Sequence, residues 1–238
     1  MKKIVIAICC IAAFGMTLFS ADSKRQKMVI GNGPLQVEIN RQGYIIHALN
    51  GKAVFNLMLQ VHWRYFAYQS KDLQIAMDGE DAFRSAGSFA NIQFSSRTWV
   101  QSNRAETEYQ LALTEDNPFS AKSQWEVTPF FSMERLKEMG NCNFSGICVS
   151  GKKFSGKIGK LVSFPGRVRS FTIHNVQGYD LTLEFPSGAL GIDRRKEVKP
   201  QGLWFFVPAV MNDGSHPQKA GDRAVLRINT EVKETMEK

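Results

Sequence analysis

The chain has 238 residues, which is one domain's worth of protein and enough to bury a sizeable core. Lys and Arg number 30 against 22 Asp and Glu, a formal charge of +8. In an exported protein that excess favours anionic glycans, envelope polymers or membrane headgroups over nucleic acid, and an ordinary basic surface explains much of it.

The N-terminus carries the compartment signal. Met1-Lys2-Lys3 precedes an apolar run from Ile4 to Phe19, with small residues at Ser20 and Ala21. A positive start, a short apolar stretch and a small-residue exit describe a secretory signal peptide, here residues 1–20. The run is shorter than the roughly 20 residues a spanning helix needs, so no stable membrane span is expected after its removal. Retention as an uncleaved anchor is the alternative. Residues 21–27 then read as a flexible basic N-terminus, 28–232 as a single domain and 233–238 as a charged tail.

Cys9 and Cys10 fall within the signal, leaving Cys142 and Cys148 in NCNFSGICVS. An even pair in an oxidising compartment reads as a disulfide, with Asn143 to Gly146 turning a hairpin between the two. No further His or Cys lies close by, so a zinc site is not expected.

Taken in order, Leu35, Val37 and Ile39 alternate with polar residues, and Arg41-Gln42-Gly43 turns the chain into Tyr44 to Leu49. Asn50-Gly51 is the strongest hairpin signal, leading to Ala53-Val54-Phe55. Leu57 to Tyr68 reads as one long strand, with Gln60, His62, Arg64 and Phe66 on one face. From Lys71 to Gly87 the alternation breaks, and Asp78-Gly79-Glu80-Asp81 reads as an exposed turn rather than a calcium loop, whose ligand spacing it lacks.

Phe89 to Phe94 and Arg97 to Gln101 are the next expected strands, followed by the clean alternation of Ala105, Thr107, Tyr109, Leu111 and Leu113. Gln124 to Thr128 resumes extended structure. Ser132 to Met139 is the one expected helix, with Ser132 as N-cap and Gly140 just past its end. Ser150 to Lys160 is glycine-rich and basic, lacks the spacing of a P-loop, and reads as a mobile loop. In Tyr179 to Phe185 every second residue is apolar, with Gln177-Gly178 before and Pro186-Ser187-Gly188 after as turns. Leu190 and Ile192, Leu203 to Val207, and Ala224, Leu226 and Ile228 supply the remaining strands. The pattern predicts an all-β, antiparallel two-sheet β-sandwich with at most one short helix.

Motifs for chemistry are missing. There is no G-x-S-x-G elbow, no H-E-x-x-H and no dinucleotide-binding glycine pattern, and His47, His62, His174 and His216 stand singly. No cofactor or metal is implied. What remains is aromatic and basic: Trp63, Trp99, Trp125 and Trp204 with Arg64, Arg97, Arg167 and Arg169. A flat ring beside polar groups suits the apolar faces and hydroxyl edges of sugars, whereas a tryptophan on a strand is more often core. Gln60, His62, Arg64, Trp99 and Trp125 are the candidate ligand-binding residues, with Arg64 free to pair with an acidic glycan through its planar fork.

VEINRQGYIIHALNGKAVF resembles the start of galactose-mutarotase-like domains. FPGRVRSFTIHNVQGYDLTLEFPSGALGIDRR is similar to the supersandwich domains attached to secreted carbohydrate-active enzymes. The resemblance implies an antiparallel supersandwich and carbohydrate as the ligand class; the family's catalytic histidines and carboxylate find no matching positions here. Three functions compete: an exported carbohydrate-binding or accessory protein, a carbohydrate-active enzyme of epimerase or lyase type, and a structural or assembly protein of the envelope.

Overall fold

The structure is a computed structural model, and it describes residues 27–61, 65–118, 125–196 and 201–235. The expected signal peptide and most of the expected basic N-terminus lie outside the described residues, as do His62, Trp63 and Arg64.

In chain order the strands begin with β1 (Met28–Ile30), β2 (Leu35–Ile39), β3 (Ile45–Leu49), β4 (Lys52–Val61) and β5 (Tyr65–Phe66). After a 3₁₀ turn at Ala67–Gln69 come β6 (Gln74–Met77), β7 (Ala82–Phe89), β8 (Ile92–Gln101), β9 (Arg104–Leu113) and β10 (Trp125–Ser132). A short helix α1 (Met133–Glu138) leads to β11 (Asn143–Cys148), β12 (Lys153–Lys157), β13 (Val168–Val176), β14 (Tyr179–Asp193), β15 (Gly202–Pro208) and β16 (Arg223–Glu234). The predicted all-β architecture is present, and the strand pairings among the described residues are antiparallel.

The strands make two sheets. The first runs β1-β2-β3-β4-β10-β15 and takes in the second half of β14; the other runs β6-β7-β8-β9-β16 and takes in the first half, with β13, β11 and β12 beyond. β14 is therefore shared. Leu181 and Leu183 pair with β13 and β16, whereas Leu190 and Ile192 pair with β15. The expected turn at Pro186-Ser187-Gly188 is instead the corner at which one continuous strand changes sheet. Gly188 has φ +74°, and a Cβ there would lie 2.7 Å from a Val149 methyl, so the corner requires glycine.

The inward faces meet in one contiguous core. Phe55, Phe131, Phe171, Phe185 and Phe205 are fully buried within it, and Leu181, Leu183, Leu226 and Ile228 join as their alternation predicts, with Tyr179 half-buried at its edge. The Asn50-Gly51 hairpin forms as read: Leu49 pairs with Lys52, and both turn residues have positive φ. The helix starts where expected, with Ser132 Oγ accepting from the Arg135 N–H at 3.4 Å and Leu136 buried beneath.

Further readings are corrected. Phe89 to Phe94 is not a strand, because the chain turns at Ala90 (φ +49°) and Asn91 from β7 into β8, and Arg97 to Gln101 is the continuation of β8. The run from Leu57 to Tyr68 is not one strand, because β5 folds back on β4, with Phe66 opposite Gln60 and Tyr65 opposite Val61. The period-two pattern continues through this reversal, so alternation alone cannot show it. The broken stretch from Lys71 holds β6 and most of β7, and the glycine-rich segment holds β12, an edge strand whose residues are mostly exposed. Asp78 to Asp81 is a turn as expected, closed by the Asp78 N–H donating to the Ala82 carbonyl.

The expected disulfide is also absent. Cys142 and Cys148 are both free thiols. They flank β11, whose interior supplies strand alternation and not a turn: Phe144 and Gly146 face inward, Asn143 and Ile147 outward. Six residues of extended chain span roughly 20 Å, several times the separation a disulfide tolerates. The hairpin lies beyond the second cysteine, where the Cys148 N–H donates to the Lys152 carbonyl.

Candidate functional site

The outward face of the first sheet has an unusual composition. In β4 the residues Leu57, Leu59 and Val61 point into the core, which turns Asn56, Met58 and Gln60 outward. In β10 the same alternation sends Trp125 and Val127 inward and Glu126, Thr128 and Phe130 outward. β15 adds Trp204 and Phe206 to this outer face through the pairing of Phe130 with Trp204. Gln60, Thr128, Trp204 and Phe206 are buried on this face, which mixes amide, carboxyl and stacked rings where a solvent face would be polar throughout. Trp204 stacks on Phe130 at 4.0 Å and on Phe206 at 6.0 Å between ring centres.

At one end α1 lies over the face, with the Arg135 guanidinium donating to Asn56 Oδ1 at 2.8 Å. At the other, Glu126 stands directly across from Gln60 on one side and from Pro208 on the other. His216 closes that end through a 2.9 Å hydrogen bond to the Ala209 carbonyl, while the Ala209 N–H donates to the Trp125 carbonyl.

Two groups here carry electrostatic tension. Burial pushes the Glu126 carboxyl up to about 7, with no cation or donor among the described residues to offset the lost water. Gln60 is 0 % exposed, and among the described residues neither its amide oxygen nor its amide nitrogen has a hydrogen-bond partner. An unsatisfied buried amide costs about 1–3 kcal/mol, and directly opposed residues on neighbouring strands have Cβ atoms only about 4.5–5.5 Å apart. A carboxyl that exchanges its proton near neutrality, beside an amide with two donors and an acceptor to fill, is suited to hydroxyl groups.

The structure disperses the residues expected from sequence. Gln60 lies on this face. Trp125 points the other way, 1 % exposed and edge-on to Phe89 in the core. Trp99 belongs to the outer face of the other sheet, where the Arg97 guanidinium sits 5.2 Å above its ring and Gln101, Arg104 and Glu106 line a shallow depression beside it. His62 and Arg64 lie outside the described residues. His47 is a core residue stacked on Phe55, and His174 belongs to the outer face of the second sheet. Glu126 was not among the expected residues, although a lone carboxylate in the mostly apolar run WEVTPFF was the available signal. Among the described residues no three His, Cys, Asp or Glu side chains converge as a metal-binding group.

No protein-family model and no curated protein matches the chain. Solved structures do match. A galactose mutarotase-like protein from Lactobacillus casei superimposes with a TM-score of 0.55 at 8 % identity, covering 87 % of this chain and 100 % of that one. The chain has the galactose-mutarotase-like fold. A candidate aldose 1-epimerase from Escherichia coli K12 matches with the same TM-score at 9 % identity, over 88 % of this chain and 99 % of the other. A glycoside hydrolase family 97 enzyme from a Pseudoalteromonas strain, solved with acarbose, matches at 0.50 and 12 % identity, and there the match covers 88 % of this chain but 36 % of the hydrolase. At these identities the likeness is one of fold. It agrees with the supersandwich expected from the two quoted segments.

Proposed function

We propose that the protein binds carbohydrate on the outer face of its first sheet, with Glu126 and Gln60 reading sugar hydroxyls and the half-exposed Phe130 ring offering an apolar platform. One observation carries this reading: a buried amide with no partner among the described residues stands directly opposite a carboxyl raised to about 7 on an aromatic face. Sugar hydroxyls both donate and accept, which is what that pair lacks. The names of fold neighbours, an aldose 1-epimerase candidate and glycoside hydrolases among them, lend support by analogy.

The reading includes export, supported by Met1-Lys2-Lys3 and the apolar run that follows. It also includes a preference for acidic glycans, supported by the formal charge of +8 and by Arg64, four residues beyond Gln60 in sequence. A glycan array followed by calorimetry tests it. Retention of at least one glycan, lost at least tenfold in both Gln60→Leu and Glu126→Gln, is the expected result; an array with nothing retained ends the proposal. Arg64→Ala, with binding that weakens as salt rises, tests the acidic preference separately.

A second reading rests on the same carboxyl. A pKa near the working pH is what a general acid–base residue needs, so Glu126 suits proton transfer to and from an anomeric hydroxyl or ring oxygen. Polarimetry on freshly dissolved aldoses separates the two: binding without acceleration of mutarotation leaves the protein a binder.

A further inference from the structure

On the far side of the molecule three neighbouring strands bring together a second polar group that uses none of the residues above. Ser145 of β11 lies within 2.8 Å, Oγ to Nε2, of His174 on β13, and His174 Nδ1 lies 2.9 Å from Asp180 Oδ2 on β14. All three side chains face outward from the second sheet, and the imidazole and carboxylate are 37 % and 32 % exposed. The arrangement depends on an irregularity in the β13–β14 pairing, where Asn175 adopts φ +57°. Asp180 is fixed in turn by the Asn175 N–H at 3.0 Å and the Thr235 hydroxyl at 3.1 Å.

These contacts set the proton positions. Burial works to raise the Asp180 pKa, but the hydrogen bonds from His174, Asn175 and Thr235 outweigh it and hold the carboxyl below its usual range. An ionised carboxylate only accepts, so Nδ1 carries a proton; in the neutral ring Nε2 is then the acceptor, and the Ser145 hydroxyl donates to it. That is the polarity of a nucleophile, a general base and an orienting carboxylate.

A depression opens beside the serine. Ser145 pairs with Ser155 on β12 to one side and Thr172 on β13 to the other, and Ile147, Lys153, Phe154 and Ser170 also line it. Hydroxyls stand there beside the apolar Ile147 and Phe154, and the depression is open rather than a deep slot for a long chain.

We propose that Ser145, His174 and Asp180 form a hydrolytic site for carboxylic esters of short acyl groups. Ser145 Oγ attacks the ester carbonyl carbon while its proton passes to His174 Nε2. The carbon–alkoxide bond then breaks, and the leaving alcohol takes that proton. Water attacks the acyl-serine, His174 accepts its proton, and the carboxylic acid departs as the proton returns to Ser145. Ester and water become acid and alcohol, and no other reactant enters. Asp180 is a positioning residue. β11 is paired on both edges, which commits its backbone N–H groups, so charge on the carbonyl oxygen falls to the Ser155 hydroxyl directly across and to Lys153 diagonally. One preorganised oxyanion-hole donor is worth about 10²–10³ in kcat, and a flexible lysine and a hydroxyl are less preorganised than such a donor, so turnover here is slow.

The test uses the full chain, a fluorophosphonate probe and p-nitrophenyl esters. Expected are one covalent label per chain located on Ser145 by peptide mass spectrometry, and hydrolysis of the acetate ester faster than that of the octanoate. Ser145→Ala removes only a hydroxyl and should abolish labelling. His174→Gln, at an exposed position, should slow it at least a hundredfold. Asp180→Asn keeps an oxygen for Asn175 and Thr235 yet withdraws the acceptor from Nδ1, and should slow labelling at least tenfold with the melting temperature unchanged. Absence of label, label on another residue, or a labelling rate unaltered by His174→Gln overturns the proposal. Faster octanoate hydrolysis overturns the short-acyl assignment.

Discussion

Gln60 and Glu126 face each other across β4 and β10, an amide with no partner among the described residues against a carboxyl starved of water. The folded-state pKa of Glu126 is raised from 4.5 to about 7, so the folded protein holds this proton more tightly than the unfolded chain. Its burial costs nothing below pH 4.5 and progressively more as pH climbs to 7, reaching on the order of 3 kcal/mol above that. Glu126→Gln should therefore raise stability by about 2–3 kcal/mol at about pH 8 and leave it nearly unchanged at about pH 4. Denaturant melts at the two pH values check this; equal gains at both would remove the electrostatic account.

His47 reports on the acid side. Its ring is 1 % exposed, stacks on Phe55 at 4.4 Å, and neither nitrogen has a hydrogen-bond partner among the described residues; burial lowers its pKa from 6.5 to about 3. Burying the neutral ring carries no titration cost above pH 6.5; as pH falls toward 3 the unfolded chain takes up a proton that the folded ring refuses, a loss of roughly 5 kcal/mol. His47→Phe should flatten the acid limb of the stability curve and gain about 1–2 kcal/mol at about pH 7 by removing two unsatisfied polar atoms. An unchanged acid limb would assign acid unfolding elsewhere.

Asp193 and Arg195 pin the segment ahead of β13 to the end of β14. Arg195 bonds Asp193 and the carbonyls of Ile158 and Lys160, while Asp193 accepts from the Val162 N–H at 2.7 Å. The two side chains are 4 % and 10 % exposed, so Arg195→Ala leaves a buried carboxylate without its countercharge and should destabilise by about 3 kcal/mol. Asp193→Asn with Arg195→Met should recover at least half of that. Hydrogen exchange at Val162 would show the local loosening directly.

The cysteines give a chemical check. Alkylation without reductant should modify Cys142 in the native protein, slowly because burial raises its thiol pKa, and Cys148 only after unfolding. Cys148→Ala should then behave as a small core deletion, costing about 1 kcal/mol with or without reductant. Recovery of a Cys142–Cys148 peptide would contradict the strand geometry.

What sequence reveals here depends on the range of the interaction. Period-two alternation is local: Tyr109 and Leu111 in β9, or Leu181 and Leu183 in β14, declare their strands from neighbours alone, as do the Asn50-Gly51 turn and the Ser132 cap. Lys153 to Lys157 hides because an edge strand needs no apolar face. The opposition of Gln60 and Glu126, and the meeting of Ser145, His174 and Asp180, depend on which strands become neighbours, and no local pattern encodes that order. Cysteine spacing misled for the same reason, since Asn143 to Gly146 has turn-forming residues but pairs on both sides as a strand.

The placement of β16 shapes how the molecule must assemble. This strand is inserted between β9 and β14, and its Arg227 meets Glu108, 119 positions earlier in the chain. Until β16 docks, β9 and β14 each present an open edge, so the second sheet closes only after a long loop has been gathered. Topologies dominated by such distant pairings fold in milliseconds to seconds. During that interval β9 offers an edge of Tyr109 and Leu111 to any other extended chain, which makes early capture by a chaperone more useful to this protein than to a helical one of equal size.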